Sequence, residues 1–144
     1  ARCRREVVCS CLEILSLKCL KNLNLDSNKI GFLPMEIYKL ENLETLSINN
    51  NKIGVLPSTL KNLTMLKTLG ISKNFIRKIG FEVTSIKSLK KLIMYGNLIE
   101  KFPVSFRLME GLEEFAFEWL EYTKPPGEFY IRKGVHNSVF MRIM

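Results

Sequence analysis

The chain has 144 residues, 47% hydrophobic and 25% charged, which suits one domain with a buried core and contains no apolar run long enough to cross a bilayer. Lys and Arg number 22 against 14 Asp and Glu, a formal charge of +8. The basic residues are dispersed, from Arg2, Arg4 and Arg5 through Lys67, Lys90 and Lys91 to Arg142, so they describe a solvated surface and not a nucleic-acid module.

Residues 1–19 are expected to form a degenerate N-terminal repeat or cap. The opening "ARCRREVV" starts at Ala1 and lacks the apolar stretch of a secretory signal, so the chain is expected to be a piece of a longer protein. Ile14, Leu17 and Leu20 are spaced as one helical face, whereas "LEILSL" at 12–17 alternates as a strand does; both readings stay open. Cys3, Cys9, Cys11 and Cys19 lack the C-x-x-C pairs of a zinc site, and no other cysteine follows. Free thiols are expected, with disulfides the alternative.

From Leu20 onward the sequence repeats. Leu20, Leu43, Leu66, Leu89 and Leu112 are 23 residues apart, and each opens the same phrase, L-x-x-L-x-L-x-x-N-x-I followed by x-x-L-P-x-x-I-x-x-L. Residues 20–111 hold four such units. Within each, the alternation of Leu23 with Leu25, Leu46 with Ile48, Leu69 with Ile71 and Leu92 with Met94 predicts a short strand with one face buried. Leu33, Ile37 and Leu40, with Leu56, Leu60 and Leu63 one unit on, fall at helix-like spacing and predict a helical or irregular return. One unit cannot bury both faces alone, so stacking is required.

Asn28, Asn51, Asn74 and Asn97 share the column where the chain leaves the strand. A buried Asn there can bond the unpaired backbone groups of its own loop and the next. Their neighbours Asn49 and Asn50 fall in outward columns and are expected to be free for a partner. Side chains in the outward columns project away from the core. The first two units are polar there, while the later ones present Phe75, Ile93, Tyr95, Leu98 and Trp119, an apolar cluster that predicts a covering partner. For Trp119 and Leu98 the alternative is that the tail covers them.

Residues 112–144 begin a fifth unit, "LEEFAFEWLEY", and then lose the period. Its aromatic residues and the irregular "TKPPGEFYIRKGVHNSVFMRIM" predict a C-terminal cap and tail that shield the end of the stack.

The five in-register copies resemble the leucine-rich repeat family over residues 20 to about 122. The resemblance implies an α/β solenoid with a short-stranded parallel sheet on the concave face and helical or irregular convex segments, and it implies that the Asn28–Asn51–Asn74–Asn97 column is an asparagine ladder. The 23-residue L-P-x-x-[IL] type is similar to the intracellular Ras-suppressor-like class. That similarity implies a cytoplasmic, monomeric, non-catalytic protein-interaction module for scaffolding or signalling. Small GTPases, kinases or phosphatases are the partner classes implied, with no cofactor, nucleic acid or membrane insertion. An extracellular ligand-recognition domain, or the regulatory repeats of a larger enzyme, is the alternative. His136 is the one histidine and lies in the tail, which excludes a His-based triad within the repeats; Glu113, Glu114, Glu118 and Glu121 are expected to be a solvated surface, not paired catalytic carboxylates.

Overall fold

The structure is a computed structural model that describes residues 11–101, 103–119 and 139–143; residues 11, 12, 107, 118, 119 and 139–143 are described by their backbone alone. Six strands lie side by side in chain order: β1 (Asn22–Asn24), β2 (Thr45–Ser47), β3 (Thr68–Gly70), β4 (Lys91–Ile93), β5 (Glu114–Trp119) and β6 (Val139–Ile143). Every neighbouring pair is parallel. In the first four pairs the register equals the sequence period, as in Leu23↔Leu46 and Leu69↔Leu92. Parallel neighbours need a crossover, and the rest of each repeat supplies it.

The apolar columns form one continuous core. Leu46, Ile48, Ile53, Leu60, Leu63, Leu66, Leu69 and Ile71 are fully buried, and the same columns continue into Leu92, Met94 and Phe115. At the last repeat larger rings fill the space: Phe115 stacks on Phe117 at 4.5 Å between centroids and meets Phe106 at 4.8 Å.

The convex returns are mostly three-ten turns, at Met35–Lys39, Ser58–Asn62 and Val104–Leu108. The reason is in the spacing: Ile37, Leu40 and Leu43 are three apart, as are Leu60, Leu63 and Leu66, and a three-residue turn puts all three on one face. Successive i→i+3 bonds run from Ile37 N–H to Pro34 C=O (3.1 Å), Leu40 to Ile37 (3.2 Å) and Leu43 to Leu40 (3.0 Å). In the third repeat Gly80 stands where the others carry proline, and a short α-helix, Phe81–Thr84, follows. The Gly80 N–H donates to Glu82 Oε1 at 2.9 Å, a bond that proline, lacking the N–H, could not make.

Both ends extend the stack. Residues Cys11–Ile14 are helical, and the bonds Leu17 N–H to Ile14 C=O and Leu20 N–H to Leu17 C=O reproduce those at Leu40 and Leu43. This stretch is therefore the convex half of a repeat, and the strand reading of "LEILSL" is excluded. At the other end, β6 pairs Phe115 with Val139, 24 residues on rather than 23. The tail thus contributes a strand to the sheet at 139–143, where an irregular cap was expected; a one-residue insertion hides it from a strict 23-residue count. The remainder of the expected tail, 120–138 with His136, lies outside the described residues, as do Cys3 and Cys9.

Candidate functional site: the strand face and its rim

Two ladders of side-chain hydrogen bonds run beneath the turn that follows each strand. In the first, Asn51 Nδ2 donates to the carbonyls of Leu25 (3.0 Å), Ile48 (3.1 Å) and Asn49 (3.1 Å), while its Oδ1 accepts from Ile30 N–H at 3.1 Å. Asn74 repeats the pattern on Ile48, Ile71 and Ser72, with Ile53 N–H as donor, and Asn97 on Ile71 and Met94, with Ile76 N–H as donor. Asn28 donates to Leu25 and Asp26 carbonyls. Asn51, Asn74 and Asn97 are buried, so each satisfies backbone groups that water does not reach.

The second ladder was not legible in the repeat phrase. Asp26 Oδ1 accepts from Asn49 N–H (2.7 Å) and from Ser47 Oγ (2.8 Å), and Asn49 Oδ1 in turn accepts from Ser72 N–H (2.7 Å). Asn49 Nδ2 also donates to Ser47 Oγ at 2.9 Å. Asn49 is thus half-buried and engaged between repeats, which corrects the expectation that it is free. Ser72, placed by its column on the outer surface, is fully buried, and its Oγ has no hydrogen-bond partner among the described residues. The ladder ends there, because serine does not reach the next repeat as an asparagine would.

Asn50 also has a local task. Ser27, Asn50 and Lys73 have φ of 57°, 55° and 52°, and Gly96 has 68°. This column makes the left-handed step out of the strand, a conformation that asparagine and glycine accept more readily than other residues. Asn50 remains exposed, with its Nδ2 donating to Ser27 Oγ at 3.2 Å.

The ladders leave an uneven surface. In the column Asp26–Asn49–Ser72 the side chains serve the fold, whereas the next member, Tyr95, is 41% exposed. Ile93 is half-buried beside it, and Phe75 and Leu98 are 54% and 37% exposed on the adjoining loops. The side chain of Trp119 lies outside the described residues. Upstream of this patch the strand face carries Asn22, Asn24, Thr45, Ser47 and Thr68. On the same strand as Ile93, Lys91 pairs with Glu114 of the next strand at 2.5 Å.

The amino ends of the strands are electrostatically self-contained. Glu44 lies between Lys67 (2.7 Å) and Lys21 (3.4 Å), and Lys90 meets Glu113 at 3.0 Å. The hydrogen bond from Lys67, then that from Lys21, lowers the Glu44 pKa below the ordinary glutamate value. Among the described residues no group of three or more His, Cys, Asp or Glu could hold a metal ion, and no helix is long and apolar enough to cross a membrane. An opening at the amino-terminal end is lined by Ile14, Leu15, Leu23, Leu25, Leu33, Pro34 and Ile37, without an ionisable group.

Known proteins share this architecture. The leucine-rich repeat region model matches residues 1–124. No curated protein sequence matches the chain. Among solved structures, it is similar to a leucine-rich repeat protein of Leptospira interrogans, LIC12759, at 26% identity and a TM-score of 0.64, over 74% of this chain and 33% of that one. The plant peptide hormone receptor RGFR1, solved in complex with RGF2, is 28% identical with a TM-score of 0.67, over 74% of this chain and 18% of the receptor. Internalin C2 of Listeria monocytogenes gives 28% and 0.61, over 69% and 42%. The chain spans less than half the length of each. A family match over residues 1–124, on parallel turns that stack in the period read from the sequence, establishes that this chain belongs to the leucine-rich repeat region family.

Proposed function

We propose that this chain is a non-catalytic protein-interaction module that holds its partner on the concave face of the third to fifth repeats, with Tyr95 and Ile93 as the anchors. The observation that carries this reading is the exposure of Tyr95, 41%, in a column whose first two members, Asp26 and Asn49, bond within the fold and whose third, Ser72, is fully buried. Interface energy concentrates in a few aromatic anchors ringed by near-neutral contacts, and Tyr95 with Phe75 and Leu98 nearby has that composition. Asn22, Asn24 and Thr45 would orient the partner and contribute less of the affinity. A cytoplasmic scaffold or signalling role follows the repeat type, with small GTPases, kinases or phosphatases as partner classes by analogy.

A photo-crosslinking amino acid at Tyr95 should capture a protein that the same group at the convex residue Tyr38 does not. Tyr95→Ala should then weaken the captured protein by about 2 kcal/mol or more with circular dichroism unchanged, and Asn24→Ala should have little effect. Capture from Tyr38 alone would overturn the concave assignment. A second reading, extracellular ligand recognition, is favoured by the likeness to a plant receptor solved with a peptide hormone.

A further inference from the structure

We propose that the rim at the carboxyl ends of the strands is a docking track for an acidic amphipathic helix of a partner protein. This surface adjoins the concave patch, with Phe75 and Leu98 at the boundary of the two, but its lysines and its occupant lie beyond the reading above. Each of the four successive loops there exposes one lysine and one large apolar side chain. In the first two, Lys29 and Lys52 come first and Phe32 (63% exposed) and Val55 (79%) follow three residues later. In the next two the order is reversed: Phe75 (54%) and Leu98 (37%) come first, and Lys78 and Lys101 follow.

The loops are held in step. Lys52 N–H donates to Ile30 C=O, Phe75 N–H to Ile53 C=O and Leu98 N–H to Ile76 C=O, at 2.8, 2.8 and 2.9 Å, and Lys78 forms a parallel bridge with Lys101. The side chains therefore sit on two tracks at the strand spacing, about 4.8 Å per repeat.

Charge distinguishes this rim from the opposite one. At the amino ends of the strands Lys21, Lys67 and Lys90 are each paired with a carboxylate, Glu44 serving the first two and Glu113 the third. Along the four loops, five basic residues face one carboxylate, and that carboxylate, Glu100, is bound to Arg77 at 3.0 Å. Among the described residues none of the four lysines has an ion-pair partner. The complement is a partner with carboxylates interleaved with apolar side chains.

The spacing selects a helix. Successive i, i+4 side chains advance about 6.0 Å along a helix, about 1.2 Å more than one repeat, whereas same-face residues of an extended strand lie about 6.8 Å apart, about 2 Å more than one repeat, and fall out of step sooner. A row of i, i+4 side chains rotates by about 40° per step, so across four turns its apolar stripe shifts from one track to the other. The apolar positions make the same shift between the second and third loops. An anionic membrane fits less well, because neither track is apolar along its length and no continuous apolar line is available to enter a bilayer.

The test is fluorescence anisotropy of the full chain with a labelled synthetic peptide of about four helical turns, with leucines in an i, i+4 row flanked by glutamates. A scrambled peptide of the same composition and phosphatidylserine–phosphatidylcholine vesicles serve as comparators. The ordered peptide should bind at least about tenfold tighter than the scrambled one. Lys29→Glu with Lys52→Glu, or all four lysines reversed, should weaken it at least about tenfold with circular dichroism unchanged. Tyr95→Ala should leave this binding intact even if it abolishes the concave-face interaction. Equal binding of the scrambled peptide, insensitivity to charge reversal, loss on Tyr95→Ala, no peptide binding, or binding of vesicles alone would each overturn the inference.

Discussion

Adjacent asparagines in the second repeat do different work. Asn51 answers four buried backbone groups in two loops, so Asn51→Ala should cost about 1 to 3 kcal/mol in chemical denaturation. From its column alone, Asn50→Ala would cost under about 0.5 kcal/mol. Its φ of 55° raises the expected cost to about 1 kcal/mol, since alanine resists the left-handed region. Asn50→Gly should restore stability where Asn51→Gly does not; equal losses from the two glycine substitutions would refute this division. Gly70 supports the second ladder by lacking a side chain. A Cβ there would lie 3.0 Å from Asn49 Nδ2, 3.2 Å from its Oδ1 and 3.3 Å from Ser47 Oγ. Gly70→Ala should therefore destabilise by about 1 kcal/mol and do so less in an Asn49→Ala background, a coupling that a double-mutant cycle measures.

At the level of elements, the three-residue strands are too short to be stable alone, and their stability comes from neighbours in register. The Lys21–Glu44–Lys67 row crosses three repeats at the strand starts. Because the Glu44 pKa is lowered in the folded state, its contribution is present above the pKa of an unfolded glutamate and is lost as pH falls through the lower folded value. An NMR titration should place the Glu44 midpoint below that of a model glutamate, and Lys67→Met should raise it more than Lys21→Met does. The opposite ranking would mean that the 3.4 Å contact, not the 2.7 Å one, dominates.

Over the whole molecule, surfaces divide by what the repeats leave unpaired: apolar side chains late in the concave face and lysines on one rim. The proposed cytoplasmic location carries a consequence for stability. With free thiols, a reductant should leave the thermal midpoint unchanged, because no loop-closing crosslink is lost. A fall of several degrees, together with a mass shift on alkylation only after reduction, would favour the extracellular reading.

The sequence by itself determined the period, the strand positions, the buried columns and the Asn28–Asn51–Asn74–Asn97 line, because each is a repeated choice of residue that periodicity exposes. Five copies of one phrase make the inward-facing positions legible without any knowledge of contacts. The convex half-repeat at 11–20 was one of two readings that a degenerate phrase left open, and the strand at 139–143 was hidden by a single-residue slip; local helical bonds decided the first and backbone pairing the second. The Asp26–Asn49–Ser72 ladder was hidden for a different reason. Its members differ in type, and whether an outward polar side chain turns toward the next repeat or toward solvent depends on the space left by its neighbour, here the missing Cβ of Gly70. Only the packed stack fixes that space, since it arises between residues 21 and more apart in the chain.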